Sequence, residues 1–365
     1  MPRAARPATI IEVAKEAGVS TATAARALGN YGPVRESTRE KVLLAAKTLK
    51  YQPNELARSM VTGKTKSIGV VCGDVHNPFF AGIVRGITDV ARERGYTVLI
   101  ANSDEDWATE VEAVSTFSAS GVDGLIASPA EPKRVDHLEN WSGKGKPVTF
   151  IDRASAKITT DAVIVDGPSA VEHAVSRFFE LGHERIAIVG EFQDEDDMDH
   201  VLALNERALN NIDIFTLSPS NARLVGYLRA HNVARKPVHP ELVVRAGSYD
   251  LNAAKDATNL LLTTTQDVTA MVATDNVMSL GAYKALVEAG RRIPEDVSFI
   301  GFDNQDWTDL VTPRITVIDQ PSYPMGQQAA RMLLDRIDGL EGESRIVTSP
   351  TALIERDSVN ALRDL

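Results

Sequence analysis

The sequence lacks several features that would define other classes of protein. Among its 365 residues there is one cysteine, Cys72, so no disulfide can form within the chain, which is typical of proteins from reducing compartments. No apolar run approaches the roughly 18 residues of a membrane span. The basic start MPRAARPATI is not followed by an apolar stretch, unlike a signal peptide. We therefore expect a cytoplasmic protein with no membrane partner.

Motifs for enzyme chemistry are also lacking. No G-x-G-x-x-G follows a predicted strand and no G-x-x-x-x-G-K-[ST] occurs, which disfavours dinucleotide binding and P-loop chemistry. The 7 histidines are scattered without the spacing of metal ligands. No Ser–His–Asp or paired-carboxylate arrangement can be argued from residue order. The sequence therefore predicts no catalytic site, no metal and no cofactor.

Aspartate is missing from the first 66 residues, and this reveals a charge split. Residues 1–66 carry 12 Lys and Arg against 5 Glu, a net charge of +7. The remaining 299 residues carry 27 basic against 45 acidic side chains, a net charge of −18. A basic head on an acidic body indicates that the head contacts nucleic acid. Chance clustering of surface charge is the alternative.

Three short helices are predicted in this head. Thr9 and Glu12 match a capping box, so the first helix should begin at about Ile10. Gly18 should end it in a left-handed conformation, and Ser20 should cap a second helix. Two short helices joined by a tight turn with glycine are typical of a helix-turn-helix. We expect the second helix to reach about Leu28 and a third, amphipathic helix to span about Ser37 to Lys50.

The second helix is predicted to have an inner and an outer face. Its inner face, and the apolar side of the third helix, should form the core of the head: Ala24, Ala27, Leu28, Val42, Leu43, Ala45, Ala46 and Leu49. Thr21, Ala22 and Arg26 should face outward, where a helix-turn-helix enters the major groove. Arginine pairs with guanine, and threonine or alanine touches a thymine methyl. A helical hairpin that binds no DNA is the alternative.

The stretch from Thr9 to Val71 closely resembles the lactose-repressor (LacI/GalR) family of bacterial transcription regulators. The shared features include TIIEVAKEAGVS, VRESTREKV, YQPNELARSM and TKSIG, at the family's spacings. The resemblance implies that Thr21, Ala22 and Arg26 read bases, while Ser20 and Thr23 contact the DNA backbone. The sequence departs from the family pattern at Ala24 and Ala25, where the family favours valine and serine.

Residues 53–66 are predicted to be a hinge helix and linker. Pro53 suits the first turn of a helix, but so short a helix is marginal in water without a partner. The resemblance implies a hinge that folds on DNA, with Asn54 near the backbone, Ala57 and Arg58 at the minor groove, and Met60 as an apolar wedge. A plain linker, with Met60 packed against the core, is the alternative.

The rest of the chain alternates strands and helices and predicts parallel sheets. About ten strands exceed one compact domain, so we expect two lobes with a cleft between them. The body resembles the family's periplasmic-binding-protein-like core. The expected fold is α/β, an all-α helix-turn-helix head and hinge helix followed by this two-lobed core. The expected domains are a head over 8–52, a hinge over 53–66 and a core over 67–365, with one lobe at 67–162 plus 294–320 and the other at 163–293 plus 321–365.

Polar and aromatic residues follow the ends of the predicted strands, where ligands of open α/β sheets bind. Aromatic faces stack on sugar rings, and carboxylates, amides and arginine bond to hydroxyls, so this mix suits a small polyhydroxylated ligand. Any single aspartate could instead be a helix cap, and either phenylalanine could be core. The resemblance supports the same effector positions: Asp74, Asn77, Phe79, Phe80, Asp152, Arg153, Arg223, Tyr249, Asp275, Asp303, Trp307 and Gln320.

One segment departs from the family pattern. About 30 residues separate RIAIVG from the helix that contains Arg223, and they include six carboxylates within 191–199. Blocks of like charge repel one another, so we expect a solvated loop rather than a cation site. The insert is placed to cover the mouth of the cleft, and its length puts in question whether Arg223 reaches the ligand.

These features favour a regulator, most simply a repressor of carbohydrate catabolism genes. It would bind a pseudo-palindromic operator as a homodimer, with a tetramer as the alternative, and respond to a sugar or polyol. The alternatives are a family member with a purine or protein effector, a cytoplasmic sugar receptor without a DNA role, and an α/β enzyme of sugar metabolism. The sequence does not tell an inducer from a corepressor.

Overall fold

A computed structural model describes residues 8–29, 32–51 and 64–362. They form two compact units, an N-terminal unit that ends at Ser67 and includes Gly121–Asp123, and a larger unit made of the rest. The predicted hinge residues Asn54, Ala57, Arg58 and Met60 lie outside the described residues. Within the described ranges, no helix is long and apolar enough to cross a membrane.

The described residues of the N-terminal unit form the helices α1 (Ile10–Glu16), α2 (Thr21–Gly29) and α3 (Glu36–Thr48). The capping box is present. The backbone N–H of Thr9 donates to Glu12 Oε2 at 2.8 Å, and that of Glu12 donates to Thr9 Oγ1 at 3.4 Å. Gly18 follows α1 with a φ of +68°, a conformation that glycine adopts without strain. The predicted start and end of the first helix are therefore confirmed.

Small side chains form the core of this unit, and the predicted place of Leu43 is wrong. Leu43 is 50% exposed, because Val42, Ala45 and Ala46 already fill the inward face of α3 at helical spacing. Ala24 and Ala27 of α2 do face inward as expected. The fully or nearly buried residues are Val13, Ala14, Ala24, Ala27, Val42, Ala45 and Ala46.

Strands and helices alternate through the larger unit. The strands are β1 (Ser67–Cys72), β2 (Thr97–Asn102), β3 (Gly124–Ala127), β4 (Val148–Asp152), β5 (Asp161–Val165), β6 (Ile186–Gly190), β7 (Val243–Arg245), β8 (Ala270–Ala273), β9 (Ser298–Phe302), β10 (Thr316–Asp319), β11 (Ile346–Ser349) and β12 (Ala352–Ile354). The helices are α4 (Pro78–Glu93), α5 (Trp107–Ser120), α6 (Asp136–Ser142), α7 (Gly167–Glu180), α8 (Glu195–Leu202), α9 (Glu206–Asn211), α10 (Pro219–Ala234), α11 (Leu251–Thr264), α12 (Asn276–Glu288), α13 (Asp306–Leu310) and α14 (Ser322–Ile337).

These strands form two six-stranded sheets, one in each lobe. The first lobe has the order β11-β5-β4-β3-β1-β2, and the second has the order β12-β10-β9-β8-β6-β7. β1, β3, β4, β5 and β11 pair in parallel, whereas β12 is antiparallel to β10. Most strands are buried along their length, because helices cover both faces of such sheets. The predicted two-lobed α/β architecture is confirmed.

The predicted membership of the two lobes needs correction. Residues 294–320 do not join the first lobe, because β9 and β10 pair within the second sheet. Residues 163–165 and 322–349 belong to the first lobe through β5, β11 and α14. The chain thus crosses between lobes after β5, β10 and β11. Strand periodicity predicts a strand but not the sheet that it joins, so this exchange was not visible in the sequence.

Glycines allow the close packing of α14 on α4 that fixes this crossing. A Cβ atom on Gly86 would lie 2.2 Å from the carbonyl oxygen of Tyr323, and one on Gly326 would lie 2.0 Å from that of Ile83. No real side chain tolerates such a distance, so larger residues at either position would force the two helices apart. This contact ties residues far apart in the sequence into one lobe.

The acidic insert is folded, which corrects the prediction of a solvated loop. Residues 191–218 contain α8, α9 and a single 3₁₀ turn, Ile214–Thr216. Asp194 caps α8 by accepting from two backbone N–H groups at 2.9 and 3.2 Å. Apolar residues that alternate with the carboxylates hold the insert against α10, namely Met198, Val201, Leu209 and Leu217. In the described ranges, no cluster of three or more metal-ligating side chains is found.

Candidate functional site

The outer face of α2 presents the predicted base-reading residues together. Thr21, Ala22 and Arg26 are all exposed. Ser20 caps the helix: its Oγ accepts from the backbone N–H of Thr23 at 3.1 Å and lies 2.9 Å from Thr23 Oγ1. The N-terminus of this helix is therefore narrow and polar, with a single long cationic side chain beside it. Such a surface can approach a nucleic-acid groove closely.

A cavity lies between the two lobes at the carboxyl ends of the strands. Ten of the twelve effector residues predicted from sequence line it, and four further residues complete it. We call this the cleft cavity. Its lining residues are Asn77, Phe79, Phe80, Glu105, Asp152, Arg153, Glu191, Pro219, Ser220, Arg223, Tyr249, Asp275, Asp303 and Gln320.

The cleft cavity is narrow. Its volume is about 50 Å³, whereas a cavity of roughly 150 Å³ is needed to hold benzene. A ligand as large as a monosaccharide therefore requires the lobes to separate before it can enter. The site belongs to both lobes, so the occupant and the lobe arrangement are physically coupled.

Two aspartates occupy equivalent places in the two lobes. Asp152 ends β4 and Asp303 follows β9, and their φ angles are +66° and +65°. Aspartate tolerates this left-handed conformation better than most residues, and such strain often marks functional sites. Burial raises the pKa of both carboxyl groups, that of Asp303 to about 6. Gln320 Nε2 donates to Asp303 Oδ1 at 2.7 Å.

Half-buried Arg153 and buried Arg223 face these carboxylates. Arg153 pairs with Glu105 and lies 3.7 Å from Asp152. Arg223 donates to the carbonyl oxygen of Thr274 at 2.6 Å, and its guanidinium lies 4.1 Å above the ring of Phe302. The insert therefore does not keep Arg223 out of the cleft.

Hydrogen-bonding capacity in the cleft cavity is not fully used. Three buried polar atoms, Nε of Arg153, Nε of Arg223 and Oε1 of Gln320, have no hydrogen-bond partner within the described part of the chain. Leaving such atoms unpaired costs free energy, so native proteins pair nearly all of them. Two donors and one acceptor thus remain available to a polar ligand.

Three side chains close the cleft by a ring of hydrogen bonds, which we call the latch. Asn77 Nδ2 donates to the Tyr249 hydroxyl at 2.9 Å, and this hydroxyl donates to Asn276 Oδ1 at 2.7 Å. Asn276 Nδ2 then donates to Asn77 Oδ1 at 2.8 Å. Asn77 belongs to the first lobe and the other two to the second, so the latch holds the lobes together.

Asp275 serves as a helix cap and also lines the cavity. Its Oδ1 accepts from the backbone N–H groups of Val277 and Met278, both at 2.9 Å, at the start of α12. Its Oδ2 accepts from the hydroxyl of Thr274 at 3.2 Å. Burial raises the pKa of the Asp275 carboxyl. Asp275 therefore caps α12, as the alternative interpretation predicted, and also lines the cleft cavity.

Two predicted effector residues lie outside the cleft cavity. Asp74 accepts from the backbone N–H of His76 at 2.8 Å and shapes the turn before α4. Trp307, in α13, packs on the ring of Tyr283 at 5.2 Å and borders a separate surface pocket. Both residues follow a strand end closely in the sequence, as predicted. The turn around Asp74 and the helix that contains Trp307 direct the two side chains away from the cleft cavity. By contrast, Phe79 and Phe80 both line the cleft cavity.

Sequence reasoning missed several residues of the site. Glu191 directly follows β6, so the strand-end rule that found Asp152 could have found it. Burial, and then the nearby Asp275, raise the pKa of Glu191 to about 7. Glu105 lies in a turn, Ser220 is the second residue of α10 and Asn276 is the first residue of α12; no sequence spacing distinguishes these three.

The insert bridges the two lobes at the edge of the cleft. Lys133, in the loop after β3 of the first lobe, lies 3.1 Å from the carboxylate of Asp197 in α8 of the second lobe. Both side chains are partly exposed, so this pair adds little stability by itself. It shows that the insert crosses the line between the lobes.

Comparisons with known proteins agree with this architecture. Residues 9–54 match the family of bacterial regulatory proteins described as lacI family, and residues 175–359 match the periplasmic binding protein-like domain. The chain is 30% identical over 352 residues to catabolite control protein A of Priestia megaterium, which covers 96% of this chain and 98% of that protein. It is 31% identical to the transcriptional repressor PurR of Pectobacterium atrosepticum, over 96% of this chain and 97% of that protein.

Two further similarities cover nearly all of the chain. The ribose operon repressor of Bacillus subtilis (strain 168) is 29% identical, over 96% of this chain and 98% of that protein. Among solved structures, a transcriptional regulator CelR–cellobiose complex has 27% identity and a TM-score of 0.68, with 97% and 100% of the two chains covered. The lac repressor dimer bound to operator and the anti-inducer ONPF has 24% identity and a TM-score of 0.80, with 98% and 100% covered, which shows a shared fold.

Proposed function

Since this chain belongs to the lacI family of bacterial regulatory proteins and is a DNA-binding transcriptional repressor rather than an enzyme, we propose how it selects DNA and effector. It binds a pseudo-palindromic operator as a homodimer, and a monosaccharide or related polyol in the cleft cavity controls its affinity. Its targets are genes of carbohydrate catabolism.

We propose that α2 reads the operator in the major groove. Arg26 donates to guanine, while Thr21 and Ala22 touch base edges or thymine methyl groups. Ser20 and Thr23 contact phosphates at the N-terminus of the helix, where backbone N–H groups favour anions. The small side chains of α2 support this assignment because they let the helix axis lie close to the bases.

The hinge is proposed on the sequence alone. Met60 wedges between base pairs of the minor groove, with Ala57 and Arg58 beside it and Asn54 at the backbone. Methionine is apolar and adaptable enough to separate a base step. With only one long side chain on α2 for base hydrogen bonds, DNA bending at the hinge supplies a large share of operator affinity.

The chemistry of the cleft cavity favours a neutral, hydroxyl-rich ligand. Its five carboxyl groups outnumber its two guanidinium groups, so it offers many acceptors and a negative potential. Hydroxyl groups donate to such acceptors and also accept from Arg153 and Arg223. A phosphorylated sugar would be repelled, and a purine base offers fewer hydrogen-bond donors than a hexose. The observation that carries the proposal is the set of three unpaired polar atoms in this cavity.

The latch supplies a link between ligand and DNA. A ligand that inserts between the lobes alters the contacts of Asn77 and Tyr249, and so shifts the equilibrium between lobe arrangements. A change in the lobes changes how the two heads of a dimer present their helices to the operator. Such coupling is reciprocal by thermodynamic necessity.

A thermal-shift screen of the full chain tests the ligand class. Monosaccharides and polyols form one set, purine bases and nucleosides a second, and sugar phosphates a third. We expect at least one neutral sugar or polyol to raise the melting temperature in a dose-dependent manner. The matched variants are Asp275→Asn, which should lose the response, and Asp250→Asn, which alters an exposed cap of the same geometry on α11. A response confined to the purine set contradicts the proposal.

A further inference from the structure

A second cavity adjoins the cleft cavity and differs from it in chemistry. It shares Asp152, Arg153, Pro219 and Arg223 with the cleft cavity. Every other residue that lines it is apolar or glycine. We call it the annex. Because four residues border both cavities, a group on a ligand in the cleft cavity lies next to the annex.

The insert builds one wall of the annex. Ile214, Phe215 and Leu217 come from the turn between α9 and α10, and face Ile164 and Pro168 across the space. The turn is held in place: Asp213 Oδ1 accepts from the backbone N–H of Phe215 at 3.0 Å, and that of Leu217 donates to the carbonyl oxygen of Ile214 at 3.2 Å. Ile214 and Phe215 stay partly exposed although Leu217 is buried.

Arg223 separates the polar cleft from the apolar annex. Its aliphatic stem lies against Gly167, where an added Cβ would stand 3.4 Å from Arg223 Cγ. Its guanidinium lies at the cleft side, bonded to Thr274 and with Nε unpaired. A ligand that spans both cavities would place hydroxyl groups at the guanidinium and carbon groups beyond it.

The size of the annex restricts what it can hold. Its volume is about 50 Å³, a third of the roughly 150 Å³ cavity that accepts benzene. A methyl, ethyl or isopropyl group suits it, whereas an aromatic ring does not. Hydroxyl groups are disfavoured there, because an apolar lining cannot replace their hydrogen bonds to water.

We propose that the effector is a polyhydroxylated ring with a short alkyl substituent, and that Ile214, Phe215 and Leu217 select it. This inference rests on the proposed polyol site and names the ligand class more narrowly. Deoxy sugars and alkyl glycosides both satisfy the chemistry. The insert is then a specificity element, built from the turn Ile214–Thr216 and the neighbouring Leu217.

Isothermal titration of the full chain tests this with matched ligands. The probes are glucose, galactose and ribose, their methyl, ethyl and isopropyl glycosides, and the 6-deoxy sugars rhamnose and fucose. We expect the alkylated or deoxy form of one sugar to bind more tightly than its parent, by about four-fold for each carbon that enters the annex. Tighter binding of the 6-deoxy sugars than of the glycosides would place the alkyl substituent at carbon 5 of the ring, and the opposite order would place it on the anomeric oxygen.

Two variants two residues apart separate a ligand contact from a general effect on the insert. Ile214→Ala opens the annex wall, whereas Ile212→Ala truncates a neighbour that packs on the core instead. In Ile214→Ala, we expect the alkylated or deoxy form to bind less than about two-fold more tightly than the parent sugar, while the affinity for the parent sugar is kept. Ile212→Ala should retain the full preference even if it lowers the melting temperature.

The outcomes distinguish this inference from the proposed function. Equal binding of parent and alkylated sugars by the wild type overturns the annex proposal and leaves the polyol site standing. Loss of preference in both variants also overturns it, because the effect then comes from the stability of the insert. If no sugar in either form binds, both proposals fail together.

Discussion

Replacing Glu191 by glutamine should make stability less dependent on pH. Burial raises the pKa of this carboxyl group from its ordinary value of 4.5 to about 7. Below pH 4.5 the group is protonated in both folded and unfolded chains and has no effect on stability. As the pH rises to 7, the unfolded chain releases the proton while the folded chain must keep it or bury a charge.

The magnitude follows from the size of this pKa change. At 1.36 kcal/mol for each pH unit, the rise to about 7 corresponds to a destabilisation of about 3 kcal/mol above pH 7. Because glutamine cannot ionise, the Glu191→Gln variant should have a higher free energy of unfolding than the wild type at pH 8.5. At pH 4.5 the two proteins should differ by less than about 0.5 kcal/mol.

Urea denaturation at pH 4.5, 6.5 and 8.5 measures the effect. Comparing variant with wild type isolates Glu191 from Asp152, Asp275 and Asp303, whose carboxyl pKa values are also raised. Glu195→Gln, an exposed change in α8, is the control and should differ little from wild type at every pH. A stability difference for Glu191→Gln that is the same at pH 4.5 and 8.5 would mean that ionisation of Glu191 does not affect folding.

Three further predictions concern the DNA surface and the latch. Arg26→Ala should weaken operator binding by about 1–3 kcal/mol, which is the contribution of one base contact, and should largely keep binding to unrelated DNA. If fluorescence anisotropy shows the same loss of affinity for operator and for unrelated DNA, Arg26 contacts phosphates instead of bases. Tyr249→Phe removes the hydrogen bond that the Tyr249 hydroxyl accepts from Asn77 and the one that it donates to Asn276, and should lower the free energy of unfolding by about 1–3 kcal/mol; an unchanged urea midpoint contradicts the latch. Met60→Ala should reduce operator bending measured by fluorescence energy transfer, and equal bending argues against the wedge.

Local signals in the sequence predicted the local structure well. Thr9, Glu12 and Gly18 set the first helix, because caps depend on neighbouring residues. The strand-end rule placed ten effector candidates around one cavity, since parallel strands bring their carboxyl ends to one edge. The rule failed for Asp74 and Trp307. The turn before α4 directs the side chain of Asp74 away from the cleft cavity, and the short helix α13 does the same for Trp307.

Long-range features were not predictable in the same way. The place of β9 and β10 in the second sheet and of β11 in the first depends on pairings between residues far apart in the sequence, and strand patterns do not contain that information. The folding of the insert depends on four apolar residues that pack on α10, while its composition is dominated by carboxylates. Asn276 belongs to the latch because the first residue of α12 in the second lobe contacts Asn77 in the first lobe.

We expect a ligand in the cleft cavity to change the affinity of the protein for its operator. The direct measurement uses operator DNA selected by the full chain and a polyol found in the thermal-shift screen. We predict that saturating polyol changes the operator dissociation constant by about 5- to 150-fold, and that operator changes the polyol dissociation constant by the same factor. A factor of one in both titrations, with the polyol bound, would mean that the cleft cavity and the DNA-binding head are not coupled.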